Sequence, residues 1–239
     1  MSMRQTCKQA LAFLLLAGVL APALAATIGA VARISGEAYI ARPDAPARTV
    51  KADDAVSEGD LLTTAKGGEV LIRFNDQSVL TLRPDSSVVV ARFQQTESGG
   101  GSFLANLLKG ALRSVSGLIG KTSPQSVRFS TPTATIGIRG TDFEIAIVPE
   151  DTADTRAGTY NYVHDGVTTL GLVTPGEGPT SVDVKPDETG LALAHPRPGE
   201  PALQILQQRP AFLRGGGLDA HMMQFTTQPM RAIQMMPRH

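Results

Sequence analysis

The 239-residue chain has no tryptophan, one cysteine, and aromatic side chains at only 5% of its positions. The cysteine, Cys7, precedes the apolar run Ala10–Leu20, so everything after that run is free of disulfides, thiol nucleophiles and cysteine-ligated metals. Charge of either sign is also missing as an excess. Basic and acidic residues number 22 each, and nucleic-acid binding needs a clustered basic surface that no segment supplies. Histidine is scarce, and His164, His195, His221 and His239 show no ligand spacing, which argues against zinc. No Gly-x-Ser-x-Gly elbow occurs, and His164-Asp165, adjacent on one strand, point in opposite directions. The carboxylate pairs Asp53-Asp54 and Asp183-Asp187 read as solvated turns. No enzyme activity and no cofactor are therefore expected.

One long apolar run is present, and only one. Arg4 and Lys8 precede Ala10–Leu20, and Ala21-Pro22-Ala23-Leu24-Ala25-Ala26 follows. A basic start, an apolar centre and an Ala-x-Ala close are the parts of a secretory signal peptide. The run falls short of the ~20 apolar residues of a spanning helix. Cleavage is expected between Ala25 and Ala26, leaving a periplasmic or secreted protein with no stable membrane insertion. Loss of Arg4 and Lys8 would give that protein a net charge of −2.

The remainder is rich in short alternating segments. Thr27–Ala41 alternates around a Ser35-Gly36 turn, and Pro43–Pro46 reads as a loop. Leu61–Thr64 follows the turn Glu58-Gly59-Asp60. In Glu69–Phe74, Val70, Ile72 and Phe74 face one way and Leu71 and Arg73 the other. Asn75–Ser78 closes a hairpin to Val79–Leu82, and Ser87–Phe93 is a further strand. Phe103–Lys109 fits a short helix or a strand, and the strand reading is preferred because seven residues make a marginal helix. It turns at Gly110 into Ala111–Ser116, and Gly117–Pro124 is read as a loop, with Leu118-Ile119 suited to a helical turn. Turn signals every eight to twelve residues predict an all-β fold, a sandwich, roll or short β-solenoid of antiparallel strands.

Ser126–Ile147 organises the rest. Ala134, Ile136 and Ile138 alternate with Thr135, Gly137 and Arg139, after which the apolar set becomes Phe143, Ile145 and Ile147. The apolar positions thus move from even to odd numbers. A one-residue slip turns every side chain over, so an extra residue must be absorbed near Gly140, in a bulge or a corner between two short strands. Beyond it, Thr159–Val163 and Val167–Val173 read as a hairpin around Asp165-Gly166. Tyr160 and Tyr162 share one face. Ser181–Val184 and Gly190–Ala194 read as a last strand pair and Ala202–Gln208 as a short helix. The resulting division is a signal peptide 1–25, an all-β domain 26–195 and a Pro/Gly/Met-rich, poorly ordered C-terminal extension 196–239. Its methionines Met222-Met223, Met230 and Met235-Met236 suit a mobile or back-packed tail.

The order Ser35-Gly36-Glu37-Ala38, Glu58-Gly59-Asp60-Leu61, Val70–Leu82, Lys109-Gly110-Ala111-Leu112-Arg113 and Thr131–Thr141 resembles the FecR-type periplasmic domain family. The segment Thr131-Pro132-Thr133-Ala134-Thr135-Ile136-Gly137-Ile138-Arg139-Gly140-Thr141 is its most specific part. The resemblance implies an all-β domain that binds rather than catalyses. The family's type protein carries signals from an outer-membrane transporter to a sigma factor through a spanning helix. Here a cleavable leader is read in that helix's place, so the resemblance is to a free-standing version. The expected function is an envelope signalling accessory or scaffold binding a protein partner, with Thr131, Pro132, Arg139, Gly140 and Thr141 as candidate contact residues. A cell-wall or surface glycan is the alternative partner, and a groove with aromatic faces and amides would mark it. For Arg139 the structural alternative is a tie from the corner to an acid such as Asp60 or Asp142.

Overall fold

The protein, seen here in a computed structural model, is described over residues 26–42, 45–174 and 178–227. The expected leader with Ala25, and Met230, Met235 and Met236, lie outside the described residues. Sixteen strands join one sheet. In chain order they are β1 (Thr27–Ser35), β2 (Ala38–Arg42), β3 (Ala45–Thr49), β4 (Ala55–Ser57), β5 (Leu61–Thr64), β6 (Glu69–Phe74), β7 (Val79–Leu82) and β8 (Ser87–Gln95). Then come β9 (Gly101–Lys109), β10 (Ala111–Val115), β11 (Val127–Ser130), β12 (Ala134–Val148), β13 (Gly158–Leu172), β14 (Ser181–Val184), β15 (Thr189–Leu193) and β16 (Leu203–Leu206).

The order runs β3-β2-β5-β8-β9-β11-β12-β10-β7-β6-β1-β4, with β13 on the other side of β12. The first part of β12 pairs with β11 and its later part with β10. Along β13, β14 pairs with Thr168–Gly171 and β15 with Gly158–Tyr162. The long β12–β13 ribbon therefore belongs to two half-sheets, and the sheet curls so that both halves cover one core.

Alternation places the core. Val70, Ile72 and Phe74 lie in the main cluster, whereas Leu71 packs in another on the opposite face. Both apolar sets of β12, Ala134-Ile136-Ile138 and Phe143-Ile145, reach the main cluster. A chain of ring contacts ties the halves together, Phe93 on Phe74, Phe74 on Phe103, Phe103 on Phe129 and Phe129 on Phe143, with centroids 4.8–5.6 Å apart. Each such ring removed from water contributes about 1.5–3 kcal/mol.

Several local expectations are corrected. Ser126–Ile147 is not two strands meeting at a corner, because β12 runs unbroken through Gly140 as a bulged strand of 15 residues. Asp165-Gly166 is not a hairpin turn, for β13 likewise continues through it. Ala45-Pro46 lies in edge strand β3 rather than a loop, a place where proline's missing donor faces no neighbour. Ala202–Gln208 holds strand β16 instead of a helix, since pairing with β15 outweighs local preference. Asp183 stands on β14, not in a turn. The strand reading of Phe103–Lys109 holds, and a five-residue helix, Leu118–Thr122, occupies the Gly117–Pro124 loop.

After β16 the chain crosses the outer face of the second half-sheet. A 3-10 turn (Ala211–Leu213) and the helix Asp219–Thr227 bury Leu213, Leu218 and Met222 against it. Leu218 and Met222 meet Leu71 and Val79, and Leu213 meets Tyr160, Tyr162 and Leu191. This part of the methionine-bearing segment is back-packed.

Candidate functional site

The β12–β13 ribbon bends where three backbones share one level. Gly140 (φ +61), Gly166 (φ +78) and Asp187 (φ +67), between β14 and β15, all lie in the left-handed region. The ladder slips between Arg139 and Asp142, where Arg139 faces Val167 and Asp142 faces Asp165. The extra residue implied by the change of apolar parity is absorbed here.

On the outer face before the bend, cross-strand neighbours form a row: Arg128 opposite Gly137, Gly137 opposite Thr169, and Thr169 opposite Asp183. A second row runs Ser130, Thr135, Gly171 and Ser181. The residues are small or hydroxylic, so a shallow groove of ≈ 730 Å³ lies over the strands with Arg128, Arg139 and Asp183 at its margin. A Cβ on Gly137 would meet nothing within 4 Å. Past the bend a second cleft of ≈ 350 Å³ is lined by Lys121, Gly140, Thr141, Asp142 and Asp165.

Arg139 pairs with Asp183, not with Asp60 or Asp142, and their side chains are 57% and 49% exposed. Asp60 instead holds Arg42, and Asp142 holds Arg113. The bond from Thr169, joined by the bond and charge of Arg139, keeps the Asp183 carboxyl below its ordinary value of 3.8 against the opposing effect of burial. An exposed pair of this kind is worth about 0–1 kcal/mol, so Arg139 is readily released to another anion.

The other motif residues divide by role. The Thr131 hydroxyl accepts from the Thr133 and Ala134 amides, 3.3 and 2.9 Å away, and meets the Thr159 hydroxyl at 2.7 Å, which shapes the β11–β12 turn. Pro132 is exposed on that turn. Thr141 is buried, and its amide donates to the Ser116 hydroxyl at 2.8 Å. Thr131 and Thr141 thus hold the frame, and Arg139 is the motif residue that faces outward with a charge. Arg128, Gly137 and Asp183 complete the face and were not singled out by sequence. The signal was available for Gly137, since it shares parity with Thr135 and Arg139.

A separate charged cluster lies under the C-terminal segment. Glu144, fully buried, receives Arg209 and lies 2.6 Å from His164 Nε2. Arg83 Nη2 stands 3.0 Å from Glu144 Oε2 and 2.8 Å from Asp219. Its Nη1 donates to the Leu213 carbonyl at 2.9 Å. The Glu69 carboxylate accepts the Gly217 and Leu218 amides at 2.9 and 2.8 Å. Burial works against the charged form of Arg113, but its bonds to Asp142 and the charges of Asp219 and Glu144 outweigh it and raise its ionisation. The cluster is a clasp. It holds residues 209–222 on the sheet, and His164 and the two tyrosines are absorbed in packing, with Arg209 4.9 Å over the Tyr162 ring.

Among the described residues no group of three or more His, Cys, Asp or Glu is placed to hold a metal ion. Among the same residues no helix is long and apolar enough to cross a membrane.

The family described as FecR protein matches residues 60–161, so a FecR-family domain is present in this chain. The match runs from Asp60 to Asn161 and includes the whole of β12 with Gly140, but ends before Gly166 and Asp187. Two crystal structures of a Parabacteroides distasonis protein, provisionally described as an anti-sigma factor, are similar at 12% identity, with TM-scores of 0.46 and 0.45. The alignment covers 62% of this chain and 59% of that one, so it spans under two thirds of that protein's length. No curated protein matches the chain.

Proposed function

We propose that this chain is a non-enzymatic binding domain of the cell envelope, a signalling accessory or scaffold that engages a protein partner at the β12–β13 bend. Residues 1–25 act as a leader cleaved between Ala25 and Ala26, and the mature protein is periplasmic or secreted. The all-β domain then spans 26–195, and the extension 196–239 adds β16 to its sheet and packs Leu213, Leu218 and Met222 back on it. The observation that carries this reading is the open sheet face around Gly137. It is flanked by Arg128 and Arg139, and the Arg139–Asp183 ion pair across it is exposed and exchangeable. A flat, small-residue surface with movable charges suits recognition of another protein's side chains, whereas catalysis needs a buried, fixed constellation.

The test is a photo-crosslinking residue placed at position 137 in cells, with position 48 on edge strand β3 as the control. The expected outcome is a discrete adduct to one envelope protein from position 137, lost when Arg139→Glu is added. Equal labelling from both positions, or an adduct indifferent to Arg139→Glu, overturns the site.

A further inference from the structure

Far from the bend, beside the C-terminal clasp, a groove of ≈ 730 Å³ lies between the loop holding Asp154 and the segment after β16. Phe212 stands at its rim, 41% exposed, although a free ring of that size gains by burial. The neighbouring contacts fix it there. Pro210 precedes the 3-10 turn, and Leu213 beside Phe212 is fully buried. The Leu213 carbonyl accepts from Arg83 at 2.9 Å and from Arg209 at 2.6 Å. Below, the Tyr160 ring meets Phe212 edge-on, with centroids 5.0 Å apart and planes at 85°. The ring is thus held at the rim, partly in solvent, by a buried anchor on one side and a buried ring beneath. Around it are the exposed side chains of Gln207, Gln208, Arg214 and Asp154.

We propose that this groove binds a neutral saccharide. A pyranose has one face of axial C–H bonds, which suits a flat aromatic ring, and a rim of hydroxyls that both donate and accept. Two side-chain amides offer both functions, a guanidinium donates and a carboxylate accepts. Arg214 and Asp154 balance in charge, and Arg209, the third charged residue of the lining, is already paired with the buried Glu144, so little positive charge is left over for an anionic ligand. Its volume lies in the range of small-ligand clefts, and the fixed ring avoids the ordering cost of a flexible one. This site is independent of the face around Gly137.

The experiment is calorimetric titration of the full chain as exported from cells with three tetrasaccharides, of glucose, of N-acetylglucosamine and of a uronic acid. Saturable binding of a neutral tetrasaccharide is expected, weakened about tenfold by Phe212→Ala and unchanged by Arg139→Ala. Gln208→Ala, at an exposed position, is the second variant should Phe212→Ala disturb the fold, and it too is expected to weaken binding. No binding, binding of the uronic acid alone, or affinity unaltered in both groove variants overturns the proposal. Failure here leaves the crosslink at position 137 untouched, and the reverse holds as well.

Discussion

Gly166 lies so close to Gly140 across the β12–β13 ladder that a Cβ on Gly166 would stand 2.4 Å from the Gly140 carbonyl oxygen. The same Cβ would be 2.9 Å from Thr141 Cγ2, while one on Gly140 would meet nothing within 4 Å. Two positive-φ glycines in one bulge are therefore unequal. Gly140→Ala carries only the left-handed backbone cost, about 1–2 kcal/mol. Gly166→Ala adds a backbone clash and is expected to cost about 3 kcal/mol or more. Urea unfolding of the two variants measures the difference. Equal midpoints would remove the stacked-bulge account of the bend.

Glu144 is fully buried between Arg83, Arg209 and His164. Its replacement by alanine leaves the buried Arg83 with Asp219 alone and takes the carboxylate partner from the half-buried Arg209. Loss of one partner from a buried charge group costs about 3–5 kcal/mol. By contrast the Lys109–Asp85 pair, 63% and 64% exposed, is expected to contribute about 0–1 kcal/mol when Lys109→Ala is measured in the same denaturation series.

Phe129 sits between Phe103 and Phe143, with centroids at 5.6 and 5.1 Å. Phe129→Ala opens a cavity at the seam of the two half-sheets and is expected to cost about 3–5 kcal/mol. A variant as stable as the parent in calorimetric melting would mean that the halves do not share this core.

Asp183 has its carboxyl lowered from 3.8 by Thr169 and Arg139. A carboxylate depressed in the folded state adds stability above its unfolded value, and that stability is lost as pH falls through the folded value. Asp54, Asp151 and Glu200 are lowered as well. Melting temperature is thus expected to be insensitive to these groups at neutral pH and to fall as pH drops below their unfolded values, 4.5 for Glu200 and 3.8 for the aspartates. The Asp183→Asn variant should show a shallower acid slope. A slope identical to the parent's would refute the contribution of Asp183.

Much of this architecture can be read locally, and the failures share one cause. Alternation assigned Val70, Ile72 and Phe74 to the core and Leu71 to the other face, since period-two patterning is a property of the strand alone. The parity change at Gly140 was equally legible. Asp165-Gly166 misled because a left-handed glycine serves a tight turn and a bulge alike, and the choice depends on Gly140 across the ladder. Leu203–Leu206 became a strand because β15 offered an edge. The clasp was invisible for the same reason. Arg209 and Glu144 are 65 residues apart, and Arg83 and Asp219 are 136. At the bend, parity pointed to Gly137 and Arg139, but Asp183 enters only through the pairing of β13 with β14.

The bonds from Glu69 to the Gly217 and Leu218 amides span 148 and 149 residues. They set an order in time. A chain released only as far as β16 has its sheet strands but leaves Glu69, Arg83 and Glu144 facing water, with Leu71 and Val79 uncovered. Contacts between such distant residues form late, because the loop entropy must be met before the contact rewards it. A stretch made after every strand of the sheet is therefore the one that seals it, and any cut or stall before Arg209 would yield a formed sheet that cannot finish.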